Sequence, residues 1–381
     1  MFDQIYQYNF PTTIRFGAGV INELSDYLKK NNLKSPLLVT DPVVAKLDFF
    51  SQIKASLERN QIHAEVFDQI HKNPVKSDVY AGTTVFDETK RDSIIGIGGG
   101  AAMDVARAIV LRINHREDLF KYDDLIGGDI YVTNDVPHFI TIPTTAGTGS
   151  EVGRSAIIAD DETHQKKILF SPKLLAKIVF ADPMLTMELP PAVTAATGMD
   201  ALTHNMEAFI AKMEHPLCEG IALEGISLIH QSIQTAVLNP DLQSRSMMMI
   251  ASLMGAVAFQ KGLGVVHSLA HPLSSLLDSH HGLANAINLP YGMAFNITGS
   301  EAKFRKIART LDLSDETGAG VVNYLHELNA RVSIPARLRE IGVKEEHLDV
   351  LADLAVADFA HPNNPKPVTR TDFKNLYEQA L

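Results

Sequence analysis

The sequence predicts two domains of different class: an α/β domain on a parallel sheet over residues 1–185, then an all-helical domain over 186–381. Three observations carry this. Strand-like and helix-like stretches alternate through the first half, as they do when helices cover both faces of a parallel sheet. The strand-like runs are short, β-branched and almost continuously apolar, the pattern of strands buried on both sides. After about residue 187 the texture changes, and a pair of prolines, Pro190 and Pro191, opens helical periodicity that runs to the C-terminus.

In the first half PLLVT (36–40), HAEVF (63–67), IIGIG (94–98) and HFITIPTT (138–145) read as strands. INELSDYLKKN (21–31), FFSQIKASLERN (49–60), a stretch around 77–90 and DVARAIVLRI (104–113) read as the helices that go with them. In the second half the periodicity breaks at HPL (215–217), NPD (239–241), GLG (262–264), the 278–282 region and SIPARL (333–338), which predicts several apolar helices packed together. HPNNPKPVT (361–369) holds three prolines and cannot be helical throughout. No internal repeat or low-complexity tract is visible.

Composition narrows the function. The 381 residues are 45% hydrophobic and 21% charged, enough apolar material for a sizeable core. Lys and Arg number 34 against 45 Asp and Glu, a net charge of −11 with no basic block, which argues against nucleic acid or an anionic membrane as partner. One cysteine, Cys218, excludes an intrachain disulfide and a cysteine zinc site. The N-terminus has neither the basic nor the apolar region of a secretory signal, and no apolar run approaches a membrane span, so the expected place is the cytoplasm. Histidine is the unusual component: four of the 15 fall between positions 267 and 281.

Gly98-Gly99-Gly100 follows a strand and opens a helix. Glycines there let the backbone approach a ligand, and free N–H groups with the helix dipole favour an anion such as a pyrophosphate; the same triplet also makes a plain tight turn. A second loop, Pro143 to Glu151, is packed with small hydroxyl residues that can bond phosphate, ribose or carboxamide, or simply form a polar turn. Asp41 ends the first strand. A carboxylate at that position either accepts hydrogen bonds from an adenosine ribose and repels a 2′-phosphate, favouring NAD over NADP, or caps the helix that follows.

Asp200 and His204 lie four apart on a predicted helix, and so do His267 and His271. Each spacing puts two side chains on one face, close enough to share an ion. His281 lies ten residues beyond His271, with His280 beside it as a loop residue. One carboxylate and three imidazoles suit Fe(II) or Zn(II) with an open position. Glu207, one turn past His204, is placed to support a ligand from behind. The bland alternative is a set of satisfied core histidines.

These residues together resemble the iron-containing (group III) alcohol dehydrogenase family. The matches are the glycine triplet with Asp104, PTTAGTGSEV (143–152), TAATGMDALTHNMEAF (194–209), HSLAHPL (267–273), His281-Gly282 and NPKPVT (364–369), in the family's order and spacing over most of the chain. The resemblance implies a Rossmann-like dinucleotide-binding domain and an all-α metal-binding domain, a dehydroquinate synthase-like architecture with a cleft between the two. It implies Asp200, His204, His267 and His281 as metal ligands and His271 as a non-ligand histidine assigned to proton transfer. It implies cofactor contacts from Gly98, Gly99, Gly100, Asp104, Thr144, Thr145 and Thr148, from Asp41 on the ribose side, and from Asn73 and Lys166, with Lys167 adjacent.

The implied reaction is reversible hydride transfer between NAD+ and a primary alcohol or diol, by an enzyme that is a homodimer or larger. A hydroxy-acid dehydrogenase of the 4-hydroxybutyrate type, a glycerol dehydrogenase or dehydroquinate synthase-like enzyme on the same scaffold, a metallohydrolase and a non-catalytic assembly protein are the alternatives. The sequence departs from the family at Ala101, where Ser is usual, at Arg107, where Lys is common, and in the 259–264 segment, which is one residue short.

Overall fold

The computed structural model describes residues 12–381 except His164. The chain divides into two compact units, one of residues 12–145 with Gly149–Met187, the other of Ala146–Thr148 with Glu188–Leu381. The division after Met187 falls two residues later than the sequence places it, and three residues of the hydroxyl loop join the helical unit. The reason is packing: Ser252 Oγ donates to the Gly147 carbonyl at 3.0 Å, and a Cβ on Gly147 would lie 3.0 Å from Thr197 Cβ.

The first unit contains, in chain order, β1 (Thr13–Phe16), α1 (Leu24–Lys30), β2 (Pro36–Val39), α2 (Asp48–Arg59), β3 (Glu65–Phe67), α3 (Lys76–Glu88), β4 (Ser93–Gly98), α4 (Gly100–Asn114), β5 (His138–Pro143), β6 (Ser155–Ala159), β7 (Lys166–Phe170) and β8 (Ile178–Ala181). Six strands form a parallel sheet in the order β1-β8-β5-β4-β2-β3, and β6 and β7 form a separate antiparallel hairpin. The period of two is visible in the core. Leu37, Val39, Ile94 and Phe139 pack on one face with α3 and α4, while Leu38, Ile95, Ile97, Ile140 and Ile142 pack on the other with α1 and α2.

The four predicted strands are present, and β1, β8 and the β6–β7 hairpin are additions. β1 is an exposed edge carrying Arg15, and β7 begins with Lys166 and Lys167, so neither reads as apolar. β8 (IVFA) and β6 (SAIIA) are short apolar runs without alternation, which periodicity does not separate from a buried helix segment.

The second unit contains α5 (Pro191–Ile210), α6 (Pro216–Leu238), α7 (Leu242–Ala258), α8 (Val265–Leu277), α9 (His281–Asn296), α10 (Glu301–Thr310), α11 (Gly318–Arg331), α12 (Leu348–Val356) and α13 (Arg370–Ala380). Five of its breaks, and the proline-rich segment before α13, are those the sequence marks, while the breaks before α10 and α11 are not marked. Pro191 and Pro216 start α5 and α6 in the first turn, where a missing N–H costs nothing. Asp278, in the left-handed region at φ 51°, ends α8. His280 is the N-cap of α9, its Nδ1 accepting from Leu283 N at 3.4 Å.

From Thr194 onward α5 is almost wholly buried, so it is apolar nearly all round and central to the bundle. Its C-terminal carbonyls would be orphaned there. Lys261 Nζ donates to Phe209 O at 2.8 Å, and Lys303 Nζ to Phe209 O and Ala211 O at 3.1 Å each. Among the described residues no single helix is long and apolar enough to cross a membrane.

Candidate metal centre and glycine-lined sheet edge

The helical unit brings the four predicted ligands together. One donor atom from each of Asp200, His204, His267 and His281 lies within 4.8 Å of every other, with the first three buried and His281 part-exposed. The i, i+4 spacing on α5 aligns Asp200 with His204, the third residue of α8 supplies His267, and the first residue of α9 supplies His281. His204 Nε2 and His267 Nε2 approach to 3.0 Å, and Asp200 Oδ1 is 3.5 Å from His281 Nε2.

Neighbouring groups set the protonation of this cluster. Glu207 accepts from the His267 ring at Nδ1 (2.6 Å) and from the backbone N–H of Val266 (2.7 Å) and His267 (3.3 Å). One carboxylate thereby caps the start of α8 and turns His267 so that Nε2 faces the other ligands. Burial alone would push His267 down, but Glu207 outweighs it and the histidine sits above its ordinary value. Burial pulls His204 down to about 4. Burial pushes Asp200 up, yet the imidazoles of His204, His281 and His267 outweigh it and hold the carboxylate below its usual range. At neutral pH Asp200 is therefore anionic and His204 neutral, the forms in which each can bind a cation. His204 Nδ1 is buried without a hydrogen-bond partner, 3.9 Å from Asp200 Oδ2. The donor set fits a single divalent ion of the Fe(II) or Zn(II) type.

Two further residues hold Asp200. Asn285 Nδ2 donates to Asp200 Oδ1 at 2.7 Å and lies 3.1 Å from His281 Nε2. Thr148 Oγ1 donates to Asp200 Oδ2 at 3.1 Å. The sequence reading groups Thr148 with Thr144 and Thr145 as a cofactor residue, whereas the structure ties its hydroxyl to the carboxylate in the helical unit. Asn285 went unread, although it lies four residues after His281, the same spacing that flagged the histidine pairs. Around the cluster, the Phe259 ring is 5.6 Å from His204, and His271 stacks on His281 at 5.3 Å.

The α/β unit builds a different site. β2, β4 and β5 are neighbours, and the residues beyond their C-terminal ends meet. Thr144 N donates to Gly98 O at 3.0 Å. A Cβ on Gly99 would lie 3.4 Å from the Thr145 side chain, and one on Gly98 would lie 3.5 Å from Asp41 Oδ2. Gly98 has φ 147°, which a side chain rarely adopts, and its added Cβ would collide with Ala102 at 2.7 Å. Gly99 is the N-cap of α4, with no side chain over the first turn, so its N–H groups face outward. Asp41, Gly98, Gly99, Gly100, Thr144 and Thr145 thus share the carboxyl edge of a parallel sheet, the usual place for a ligand in such folds. Of the two roles open to Asp41, the cap is present in the structure. Oδ1 caps the following turn, accepting from Val43 N and Val44 N at 2.9 Å each, while Oδ2 remains turned toward the glycines.

Asp104 lies behind this edge. Its Oδ1 accepts from Ser150 Oγ at 2.9 Å and its Oδ2 from Ile157 N at 3.1 Å. It braces the hydroxyl loop and the hairpin rather than lining the edge with a free carboxylate. Arg107 is fully buried beside it, donating to Asp104, to Ser150 and to the Ser155 carbonyl at 2.7 Å. Glu151, at the end of the loop, is pushed up to about 7 by burial. Asn73 and Lys166 are linked through the hairpin: Ala159 N donates to the carbonyl of Pro74, next to Asn73, and Ala159 pairs with Lys166 across β6 and β7.

Comparison with known proteins agrees with this architecture. Residues 11–183 match the iron-containing alcohol dehydrogenase family, and residues 194–381 match the C-terminal part of the Fe-containing alcohol dehydrogenase family. The chain is 35% identical to a 4-hydroxybutyrate dehydrogenase of Cupriavidus necator over 380 residues, 97% of this chain and 98% of that one. A crystal structure of a 1,3-propanediol oxidoreductase superposes with a TM-score of 0.94 at 33% identity, covering 99% of this chain and 100% of that one. A sulfoacetaldehyde reductase from Bifidobacterium kashiwanohense, crystallised in complex with NAD+, superposes with a TM-score of 0.87 at 25% identity and 99% coverage of both.

The matching family and the relatives named above are oxidoreductases. The chain belongs to the iron-containing alcohol dehydrogenase family and is an alcohol dehydrogenase.

Proposed function

We propose that this alcohol dehydrogenase is metal-dependent and NAD(H)-linked, and that it interconverts a primary alcohol or diol with its aldehyde. The observation that supports this most is the convergence of Asp200, His204, His267 and His281 from three helices. Those four would hold Fe(II), and the same nitrogen and oxygen donors accept Zn(II). Gly98, Gly99 and Gly100 would face the pyrophosphate of NAD, Asp41 its adenosine ribose, and Thr144 and Thr145 its polar groups, with Asn73 and Lys166 as further contacts and Asp104 and Thr148 acting through the groups they hold. When bound, the cation polarises a substrate oxygen and the nicotinamide carries the hydride.

The chain's own residues do the rest. Glu207 keeps the His267 proton on Nδ1 and the lone pair on Nε2. Asn285 and Thr148 hold the two oxygens of Asp200. The buried setting of Asp200, His204 and His267 keeps water away from them and strengthens every electrostatic interaction there. His271, one turn beyond His267, takes the alcohol proton and passes it to solvent. The Phe259 and Phe359 rings, beside His204 and His271, favour an apolar carbon chain. The family likeness supports a homodimer or larger assembly working in the cytoplasm.

A second reading, a dehydrogenase of 4-hydroxybutyrate, is favoured by the likeness to the Cupriavidus enzyme. Anaerobic purification, elemental analysis and an NAD-linked screen of short alcohols, 1,3-propanediol and 4-hydroxybutyrate test both. The expected result is near-stoichiometric iron or zinc and NADH formation, fastest with neutral alcohols. Full turnover by metal-free protein would overturn the metal reading, and turnover confined to the hydroxy acid would favour the second.

A further inference from the structure

Asp358 is 87 residues from His271 in sequence and lies just past α12, yet its Oδ2 accepts from His271 Nδ1 at 2.8 Å. Its other oxygen is fully occupied: Oδ1 accepts from Ser268 Oγ at 2.6 Å and from Ala360 N at 2.9 Å. Ser268 is held in turn, its hydroxyl oxygen accepting from His361 N at 2.9 Å. Ser268 and His271 lie three apart on α8, so one helical face presents both to the same carboxylate. Next to Asp358, the Phe359 ring stacks on His271 at 5.2 Å and 27°, and the His281 ring stacks on it at 5.3 Å and 15°.

The stacked rings fix the plane of the imidazole. The carboxylate fixes its rotation within that plane. A carboxylate only accepts, so Nδ1 carries a proton, and in the neutral ring Nε2 is the atom with the lone pair. Among the described residues Nε2 has no hydrogen-bond partner, and the side chain is 18% exposed. An imidazole with one nitrogen committed and the other bare, beside a metal-ligand cluster, is arranged to accept a proton at one atom.

We propose that Asp358, steadied by Ser268, is a positioning residue for the dehydrogenase reaction, holding His271 in the Nδ1–H tautomer so that Nε2 is the proton acceptor. This rests on the reading of His271 as the proton-transfer residue.

The experiment uses the zinc-loaded, full-length protein and compares wild type with Asp358→Asn, Asp358→Ala, Asp358→Glu and Ser268→Ala. In Asp358→Asn and Asp358→Ala, kcat is expected to fall about 10²-fold or more, with the KM for alcohol and the zinc content nearly unchanged. Asp358→Glu, which keeps an acceptor-only group, should recover much of the rate lost in Asp358→Ala, and Ser268→Ala should lose less than either. ¹⁵N NMR of the ring should show Nδ1–H for His271 in wild type and loss of that preference in Asp358→Asn. A carboxylate that merely braces the fold would leave the tautomer as it is and lower zinc content and thermal stability in step with kcat, and that result overturns the proposal. So does wild-type kcat in Asp358→Ala, or an Nε2–H ring in wild type. If wild type oxidises no alcohol, the reading of function fails, and the NMR arm still decides whether Asp358 sets the tautomer.

Discussion

The ligand cluster of the helical unit and the glycine edge of the α/β unit are made of opposite materials. The cluster consists of side chains on three helices, two of them held by neighbouring side chains: His267 by Glu207, and Asp200 by Asn285 and Thr148. The edge consists mostly of backbone at the ends of three strands, where the absence of a side chain matters more than its presence. A cation needs charge and lone pairs at fixed points. An extended dinucleotide needs room and N–H groups. The cluster should therefore fail abruptly when one member is changed, and the edge should degrade by steps.

Several substitutions would break or sharpen that contrast. His267→Ala should produce the largest effect: elemental analysis should find the metal gone, and turnover should fall at least about 10³-fold, several kcal/mol of transition-state stabilisation, in a protein that remains folded by circular dichroism. Arg107→Ala should come next, through stability instead of chemistry. Removing a buried guanidinium strands Asp104, at a cost of about 3–5 kcal/mol visible in denaturant unfolding. Glu207→Gln should weaken metal binding by about 10- to 100-fold in competition with a chelator, because the imidazole loses its charged support. Gly98→Ala should destabilise by about 1–3 kcal/mol and weaken NADH fluorescence titration, with metal content intact. Asp41→Gly should be mildest, raising kcat/KM for NADPH relative to NADH by about tenfold, with little stability change because Gly is a fair cap. Unchanged cofactor preference in that variant would leave Asp41 as a cap and nothing more.

What was legible in the sequence follows the same division. The candidate ligands were legible partly from crowding, four of the 15 histidines lying between 267 and 281, and partly from the i, i+4 pair Asp200–His204, while the full set of four came only with the family resemblance. Glu207 was legible as the residue three positions, one turn, past His204. Asn285 lies at i+4 from His281, but a single Asn after a helix start carries no chemical flag. The glycine triplet was legible only through its context of strand before and helix after. Thr148 and Asp358 close contacts across 52 and 87 residues, and no local pattern encodes a separation of that kind. In the fold, β2 to β5 were legible, while the charged β1 and β7 and the apolar runs of β6 and β8, which show no alternation, were not. Arg107 was noted only as a departure from the family. Its burial and its bonds to Asp104 and Ser150 explain why a long, forked cation can stand there.

The assignment of Ala146–Thr148 to the helical unit has a practical corollary. A gene split at the junction after Met187 would not yield two self-sufficient fragments. The C-terminal piece would lack the backbone carbonyl that Ser252 uses and the hydroxyl that steadies Asp200. Swapping halves between relatives should therefore succeed only when this three-residue insert travels with the bundle it serves.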